Sequence, residues 1–292
     1  MSTILITGAT GNIGFEVIHY LFKNKTSHRI IVGVRDVEKA HQVLANYAKL
    51  EFVYFDFEDS STFDRALVDI DRVFLVRPPH ISDVSTYFKP LLSACVKNNS
   101  NEIVFISVQG AEKNTIIPHN KIERLIQEYG LDYVFLRPSY FMQNLTTTLM
   151  HDISTKRKII LPAGQAKFNW VDIENIAEIA AVMLNKFSEY SGQAYDITGL
   201  ENENFNTVTA FINSIITKPI SYRNCNLFLF FWIKKREGMK TEMIIVMMLL
   251  HFLPRFRHEP GLSDVYERVT GKKPTDLRTF IEREKTKFEL EC

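Results

Sequence analysis

The sequence has few cysteines, almost no net charge and no apolar run of membrane-spanning length. Its three cysteines, Cys95, Cys225 and Cys292, are odd in number and far apart, which fits neither a disulfide framework nor a zinc site. We therefore expect no metal and a reducing, cytoplasmic location. The 35 basic and 34 acidic side chains leave a net charge of +1, and the basic residues are scattered, so we expect no nucleic-acid partner.

Two apolar runs, near residues 227–233 and 243–253, are each too short to cross a bilayer, and charged residues separate them. We interpret both runs as core or pocket-lining helices and expect no membrane partner. Contact with a membrane surface is the alternative. We also expect no secretion signal, because no basic segment precedes the first apolar residues, 4–6.

The composition is that of a folded protein, with 46% hydrophobic and 24% charged residues. The 292 residues suffice for one large domain, or for one domain with a smaller lobe. Up to about residue 140, short β-branched runs alternate with longer helical patterns, which predicts a parallel sheet covered on both faces. The predicted strands are 3–7, 29–34, 51–55, 72–76, 102–107 and 133–137, and the predicted helices are 14–23, 37–47, 61–68, 85–98 and 119–129.

This alternation predicts a doubly wound α/β sheet over residues 1–150. A smaller, mostly helical lobe is predicted over residues 151–292, with segments that return to the sheet. Such a lobe usually supplies the substrate side of a cleft. Its predicted elements are a strand at 158–161, a helix at 173–184, a strand at 193–197, a Met- and Phe-rich helical region to about 256, and a last helix at 276–288.

A glycine-rich turn between the first strand and the first helix is the strongest signal in the sequence. Gly8 permits a tight turn, Gly11 lets the backbone approach a pyrophosphate, and Gly14 lets the helix lie close to the strand. The pyrophosphate would lie at the helix N-terminus, where free N–H groups favour an anion. The spacing is G-x-x-G-x-x-G, which fits the general dinucleotide fingerprint loosely. The candidate contacts are Thr7, Gly8, Thr10, Gly11, Asn12, Ile13 and Gly14.

The end of the second strand indicates which dinucleotide binds. Arg35 comes first there, Asp36 follows, and Lys39 lies one turn later. A guanidinium bonds a ribose 2′-phosphate, whereas an acid grips a 2′-hydroxyl, so we expect NADP(H) to be preferred and NAD(H) to be possible. The alternative is an exposed arginine beside a helix-capping Asp36. Asp56 and Phe57, after the third strand, are placed to contact the adenine, although Asp56 can equally be a turn residue.

Other candidate residues follow the later strands, because ligands of open α/β sheets lie at the strands' carboxyl ends. Lys121 is the first candidate for catalytic assistance, with a solvated lysine as the alternative, and His119 is a weaker candidate proton donor. Tyr140 is a further catalytic candidate. Tyr140 and Phe141 can wall a dry nicotinamide face or be plain core residues. The cofactor-binding candidates at these ends are Val76, Arg77, Pro78, Ser107, Val108, Lys121, Pro138 and Phe141.

Together these motifs resemble those of the NmrA-like group of atypical short-chain dehydrogenases/reductases. The resemblance implies an NAD(P)-binding Rossmann domain with a small C-terminal substrate lobe. Members include NADPH-dependent reductases of quinones and dyes, and also proteins that sense NADP(H) without catalysis. The segments that carry the resemblance are the turn at 7–14, Val34-Arg35-Asp36, residues 107–110, Pro118-His119-x-Lys121-x-Glu123 and Leu136-Arg137-Pro138-x-x-Phe141.

One departure limits the chemistry. Better known short-chain dehydrogenases carry Tyr-x-x-x-Lys, but Ile117 stands four residues before Lys121 and offers no hydroxyl. We therefore expect hydride transfer to a small-molecule acceptor that needs little positioned acid, such as a quinone or an azo compound. A non-catalytic NADP(H)-binding sensor is the alternative. We expect a monomer or a homodimer.

Overall fold

The structure, a computed structural model, describes residues 1–290 and divides into two compact units. The first unit comprises Met1–Pro138, Ile173–Ile197 and Val265–Lys272. The second unit comprises Ser139–Asp172, Thr198–Asp264 and the chain from Lys273 onward. Cys292 lies outside the described residues, whereas Cys95 and Cys225 are buried free thiols.

The strands and the α-helices are numbered separately, each in chain order. The strands are β1 (Thr3–Thr7), β2 (Arg29–Val34), β3 (Glu51–Tyr54), β4 (Arg72–Val76), β5 (Glu102–Ile106), β6 (Asp132–Pro138), β7 (Tyr140–Phe141), β8 (Lys158–Leu161), β9 (Phe168–Val171), β10 (Gln193–Ile197), β11 (Asn202–Glu203) and β12 (Ser221–Asn224). The α-helices are α1 (Asn12–Lys23), α2 (Val37–Val43), α3 (Phe63–Ala66), α4 (Val84–Lys97), α5 (Pro118–Glu128), α6 (Met150–Lys156), α7 (Ile173–Asn185), α8 (Phe187–Tyr190), α9 (Phe205–Asn213), α10 (Leu227–Arg236), α11 (Thr241–Phe252), α12 (Val265–Thr270), α13 (Leu277–Arg283) and α14 (Lys285–Glu289).

The first unit is built on a seven-stranded sheet in the order β10-β6-β5-β4-β1-β2-β3. Every neighbouring pair in it is parallel. The strand order reverses at β1, which lies between β2 and β4, and ligands of open α/β sheets bind in the crevice at such a reversal. The doubly wound Rossmann-type α/β fold predicted from the sequence is confirmed.

Apolar strands and amphipathic helices explain this sheet. Ile4, Leu5 and Ile6 of β1 are fully buried, as expected for a central parallel strand covered on both faces. Helix α1 packs against α7, and α4 packs against α3 and α5. An aromatic cluster that includes Phe63 and Phe88 fills the core beneath α3 and α4. The carboxyl ends of the strands are thereby held on a rigid base.

The second unit contains two small sheets around an aromatic core. One sheet has the order β11-β9-β7, and β12 pairs with β8 in the other. Trp170 on β9 and Phe205 on α9 lie at the centre of the core, with ring centroids 5.3 Å apart. The predicted strand at 158–161 is β8, whereas the predicted strand at 193–197 is β10, which pairs with β6 in the first unit.

Several boundaries differ from those predicted. The helix predicted over 37–47 ends at Val43, and the last helix, predicted over 276–288, is divided at Glu284 into α13 and α14. Strands β7, β9, β11 and β12 were not predicted; β7 and β11 have two residues each, too few for an alternating pattern.

The two apolar runs of the second unit form α10 and α11, and each helix buries only one side. Ile244, Met247 and His251 are buried on α11, but Val246 and Leu249 are more than half exposed. The interpretation of both runs as core or pocket-lining helices therefore describes only the buried side of each helix. Among residues 1–290, no helix is both long and apolar enough to cross a membrane.

Two ion pairs at the amino ends of the strands differ in burial. Comparing them tests how much burial of an ion pair contributes to the free energy of unfolding. Arg72 pairs with Glu102 at 2.5 Å with its side chain 6% exposed, and its guanidinium also lies 4.8 Å from the Phe187 ring. Arg29 pairs with Glu51 at the same distance, but both side chains are largely exposed.

We expect Glu102→Ala to lower the free energy of unfolding by about 3 kcal/mol, because it leaves a buried guanidinium without its counter-charge. Glu51→Ala should lower it far less, because water solvates Arg29. Urea unfolding followed by far-UV circular dichroism measures both changes. Equal losses in the two variants would contradict the assigned burial.

Candidate functional site

The glycine-rich turn folds as a tight bend between β1 and α1. Gly8 has a φ of +65°, and the Gly11 amide donates a hydrogen bond to the Gly8 carbonyl oxygen at 2.9 Å. A Cβ at Gly14 would lie 2.3 Å from that same oxygen, so any side chain there would push the helix away from the strand. Thr10 and Asn12 are exposed on the turn, whereas Ile13 is buried beneath it.

This turn has the features required to hold a diphosphate. Helix α1 has 12 residues, and its N-cap residue is Gly11, which has no side chain to cover the first amides. The first turn of the helix carries no acidic residue. The free amides and the helix dipole therefore face solvent at an exposed backbone, an arrangement that favours an anion. The residues present fit the diphosphate of a dinucleotide.

Thr7 has a role in the sheet. Its hydroxyl donates to the Phe74 carbonyl at 2.9 Å and accepts from the Val76 amide at 3.1 Å. These bonds join β1 to β4 at the point where the strand order reverses. Val76 lies directly beside the turn, since a Cβ at Gly8 would be 3.4 Å from the Val76 Cβ. The structure thus brings Thr7, Gly8 and Val76 together, with the Thr7 hydroxyl used between strands.

Arg35 is the exposed cation predicted at the end of β2. Its side chain is 63% exposed, and its Nη1 lies 3.9 Å from the Glu58 carboxylate. Asp36 caps α2, because its carboxylate accepts a hydrogen bond from the Lys39 amide at 2.9 Å. Both features of the alternative reading are therefore present, an exposed arginine and a capping aspartate. The Asp36 carboxylate is engaged in capping α2, whereas the Arg35 guanidinium is accessible to an anion.

The two candidate adenine contacts after the third strand already have partners within the fold. The Asp56 carboxylate accepts from the Glu58 amide at 3.0 Å and so forms a turn. Phe57 is buried, with its ring 4.9 Å from the Phe55 ring and 5.6 Å from the Phe88 ring. Its aromatic face is therefore used in the core.

Glu58 is a site candidate that sequence reasoning missed. Its carboxylate lies between Arg35 and His80, at 3.9 Å and 3.8 Å. The position of Glu58 in the sequence could have indicated this contact. Because β2 and β3 are neighbouring parallel strands, an acid shortly after β3 lies near a base at the end of β2.

Beyond β4, Arg77 and His119 connect the strand end to the start of α5. The Arg77 guanidinium donates to the carbonyl oxygens of Pro78 and Ile81, at 2.9 Å and 2.6 Å, and its Nε donates to the His119 Nε2 at 3.4 Å. A ring nitrogen that accepts this bond carries no proton. Burial, with the Arg77 charge, lowers the pKa of His119 to about 3. His119 is therefore neutral at physiological pH.

The β5 end and the buried side of α5 hold a buried polar network. The Ser107 hydroxyl donates to Glu123 at 2.5 Å, and Glu123 forms a buried ion pair with Arg137 at 2.6 Å. The backbone N–H of Gln109, which follows Val108, donates to the Pro138 carbonyl oxygen at 2.9 Å, and this bond ties the loop to β6.

Lys121 lies on the outside of this network. It is exposed in the first turn of α5, and among residues 1–290 its ammonium has no hydrogen-bond or ion-pair partner. Its neighbour Asn120 is buried, and the Asn120 Oδ1 accepts no hydrogen bond from the described residues. Lys121 thus keeps its donors available to a ligand.

Tyr140 and Phe141 belong to the second unit. The Tyr140 hydroxyl lies 2.9 Å from the His251 Nε2, and its ring contacts the Trp170 ring at 4.9 Å. Burial raises the pKa of Tyr140 and lowers the pKa of His251 to about 4, so this pair is neutral. Phe141 is half-buried in β7, opposite Val171 of β9.

Comparisons with known proteins agree with this architecture. The model of the NmrA-like family matches residues 1–277. The chain is 33% identical to Prestalk A differentiation protein A of Dictyostelium discoideum over 223 residues, which span 76% of this chain and 72% of that protein. It is 28% identical to the NAD(P)H azoreductase of Xenophilus azovorans over 285 residues, which span 96% of each protein.

The fold is also that of the NADPH-dependent quinone oxidoreductase of Escherichia coli solved in complex with NADPH. The two structures match with a TM-score of 0.83 at 19% identity, over 96% of this chain and 99% of the other. The family predicted from the sequence motifs is confirmed: the chain belongs to the NmrA-like family.

Proposed function

We propose that the protein is an NADPH-dependent reductase that transfers a hydride to a small conjugated acceptor such as a quinone or an azo compound. The observation that carries this proposal is the exposed glycine turn at the N-terminus of α1, with Arg35 at the end of the neighbouring strand. Two of the similar proteins support it by what they act on, one an azoreductase and one a quinone oxidoreductase.

Different residues of the first unit bind different parts of the cofactor. The amides that follow Gly11 bind the diphosphate, and Arg35 binds the 2′-phosphate that distinguishes NADPH from NADH. When bound, the reduced nicotinamide supplies the hydride. Lys121, exposed and unpaired, offers hydrogen bonds and positive charge to hydroxyl groups or to charge that develops on the acceptor.

Apart from Lys121, the candidate proton donors of the first unit are already engaged. His119 is neutral, the Ser107 hydroxyl donates to Glu123, and Ile117 has no hydroxyl. An acceptor whose reduced atoms take protons from water suits this arrangement, because it needs no positioned acid. Quinones and azo compounds meet that condition, whereas simple ketones do not.

The same observation supports a second candidate, an NADP(H)-binding protein without catalysis. A cofactor cradle without a positioned acid also suits a sensor, which binds NADP(H) and transfers no proton. The relative that is 33% identical is named for a role in differentiation. Both candidates share the cofactor site and differ only in turnover.

Rapid mixing of the protein and NADPH with a panel of quinones and azo dyes separates the two candidates. We expect NADPH absorbance at 340 nm to decay in proportion to protein for at least one acceptor. Tight NADPH binding without acceptor-dependent decay would exclude the reductase and leave the sensor.

The same assay tests Lys121 against a matched lysine. We expect Lys121→Met to lower kcat by about tenfold or more, with a much smaller change in NADPH affinity. Lys89→Met, at an exposed position of α4, serves as control and should behave as the wild type. His119→Gln should keep the pH dependence of kcat unchanged between pH 5.5 and 7.5, because His119 does not titrate there.

Cofactor preference tests Arg35 and Glu58 together. We expect Arg35→Ala to lower the ratio of NADPH to NADH affinity by about 10- to 150-fold, the loss of one charge-assisted contact. Glu58→Gln should raise that ratio, because it removes a carboxylate beside Arg35 that repels a 2′-phosphate. Arg65→Ala, an exposed arginine on α3, is the control. Fluorescence titration of the wild type and the three variants with NADPH and with NADH gives the four ratios. Unchanged ratios in the Arg35 and Glu58 variants would remove both residues from the site.

A further inference from the structure

The helix pair α10–α11 of the second unit presents an unusual amount of apolar surface. Phe228 on α10 is 74% exposed, Trp232 is 47% exposed, and Val246 and Leu249 on α11 are 56% and 52% exposed. We call these residues, with Leu250 and Leu253, the hairpin face. Folded monomers rarely leave so many large apolar side chains in water, and such patches mark interaction sites.

The solvent-facing side of an amphipathic helix is polar, and the hairpin face does not follow that pattern. The inner side of α11 is already apolar and buried, through Ile244 and Met247. Its outer side is apolar as well, with Val246 and Leu250. A helix that is apolar all round is ordinarily covered on all sides. Another surface must therefore cover the outer side.

Charge at both ends of the hairpin indicates what that surface is. Lys235, Arg236 and Lys240 are exposed where the two helices join, and Arg255 and Arg257 are exposed after α11. Between residues 227 and 258 the only acidic residues are Glu237 and Glu242. The Glu237 carboxylate forms an ion pair with the buried Lys234 ammonium at 3.0 Å. The face is thus an apolar strip with cations at each end.

A cavity beside the C-terminal end of α11 adds a second cationic feature. It has a volume of about 520 Å³ and is lined by Arg255, Arg257, His258 and Lys167 among others. Glu259 neutralises only Lys167, through an ion pair at 2.8 Å. Among residues 1–290, neither arginine has an acidic partner. The cavity can take the phosphate of a lipid headgroup.

We propose that the hairpin face docks on the surface of an anionic lipid bilayer. The apolar side chains enter the boundary between headgroups and acyl chains, and the flanking lysines and arginines bind lipid phosphates. Trp232 suits this boundary, since its ring is apolar and its N–H is polar. A helix lying in the plane of the surface does not need the length of a membrane span, so the shortness of the two apolar runs does not oppose this mode.

A second copy of the chain is a poorer partner for the same face. Two hairpins packed in parallel would bring the lysine-rich ends together. Two hairpins packed antiparallel would bring Lys235 and Lys240 against Arg255 and Arg257. Either arrangement places like charges together, with Glu242 as the only unpaired acid of the segment to offset them.

Flotation of the full chain with lipid vesicles tests the proposal. We expect binding to vesicles of phosphatidylcholine with 30% phosphatidylglycerol, weaker binding in high salt, and little binding to phosphatidylcholine alone. Binding should shift Trp232 emission to shorter wavelength. Trp170 is 1% exposed and provides a constant background.

Matched variants make the test specific. Val246 and Val68 are both 56% exposed, so Val246→Glu should abolish flotation and Val68→Glu should preserve it. Lys240→Glu should weaken binding about fivefold or more, and Lys89→Glu should not. Circular dichroism verifies that each variant is folded, and the Trp232 shift reports docking in the unaltered chain.

Three outcomes would overturn the proposal. One is no flotation and no Trp232 shift with anionic vesicles. Another is equal binding to neutral and anionic vesicles that Lys240→Glu leaves unchanged. The third is a dimer in light scattering that Val246→Glu dissociates, without vesicle binding, which would assign the face to a second copy.

Discussion

The close approach of α1 to the end of β1 is the constraint on which the first unit depends. It exists because Gly14 has no Cβ, which would otherwise lie 2.3 Å from the Gly8 carbonyl oxygen. That approach orients the first amides of α1 toward solvent at the crevice beside β4. The Thr7 hydroxyl fixes the other side of the crevice by joining β1 to β4. Backbone geometry, more than any polar side chain, creates the proposed anion site.

Around this cradle, most polar side chains at the strand ends stabilise the fold. Ser107, Glu123 and Arg137 satisfy one another, and Arg77 holds its own loop and His119. Buried polar groups generally need hydrogen-bond partners, and these contacts supply them. Lys121 and Arg35 differ because both are exposed. The proposed function therefore assigns its ligand contacts to these two exposed cations.

The sequence predicted the central sheet well because its strands are buried on both faces and read as short β-branched runs between helical patterns. Strands 3–7, 29–34 and 72–76 were predicted to the residue. Side-chain roles were harder to predict, because they depend on tertiary neighbours. The Thr7 hydroxyl forms hydrogen bonds to a neighbouring strand, and the Phe57 ring packs in the core. Glu58 lies near Arg35 only because β2 and β3 pair. The exposure of α11 was equally hidden, since an apolar sequence does not reveal which side is covered.

Isothermal titration of the full chain with NADPH and NADP⁺ tests the central claim most directly, with Gly11→Ala and Gly261→Ala as a matched pair. A methyl at residue 11 would lie over the cradle, 3.2 Å from the Gly8 oxygen, whereas one at residue 261 meets open space. We predict saturable heat for the wild type and Gly261→Ala, and strongly weakened binding for Gly11→Ala. No heat from the wild type with either nicotinamide coenzyme, oxidised or reduced, would contradict the account.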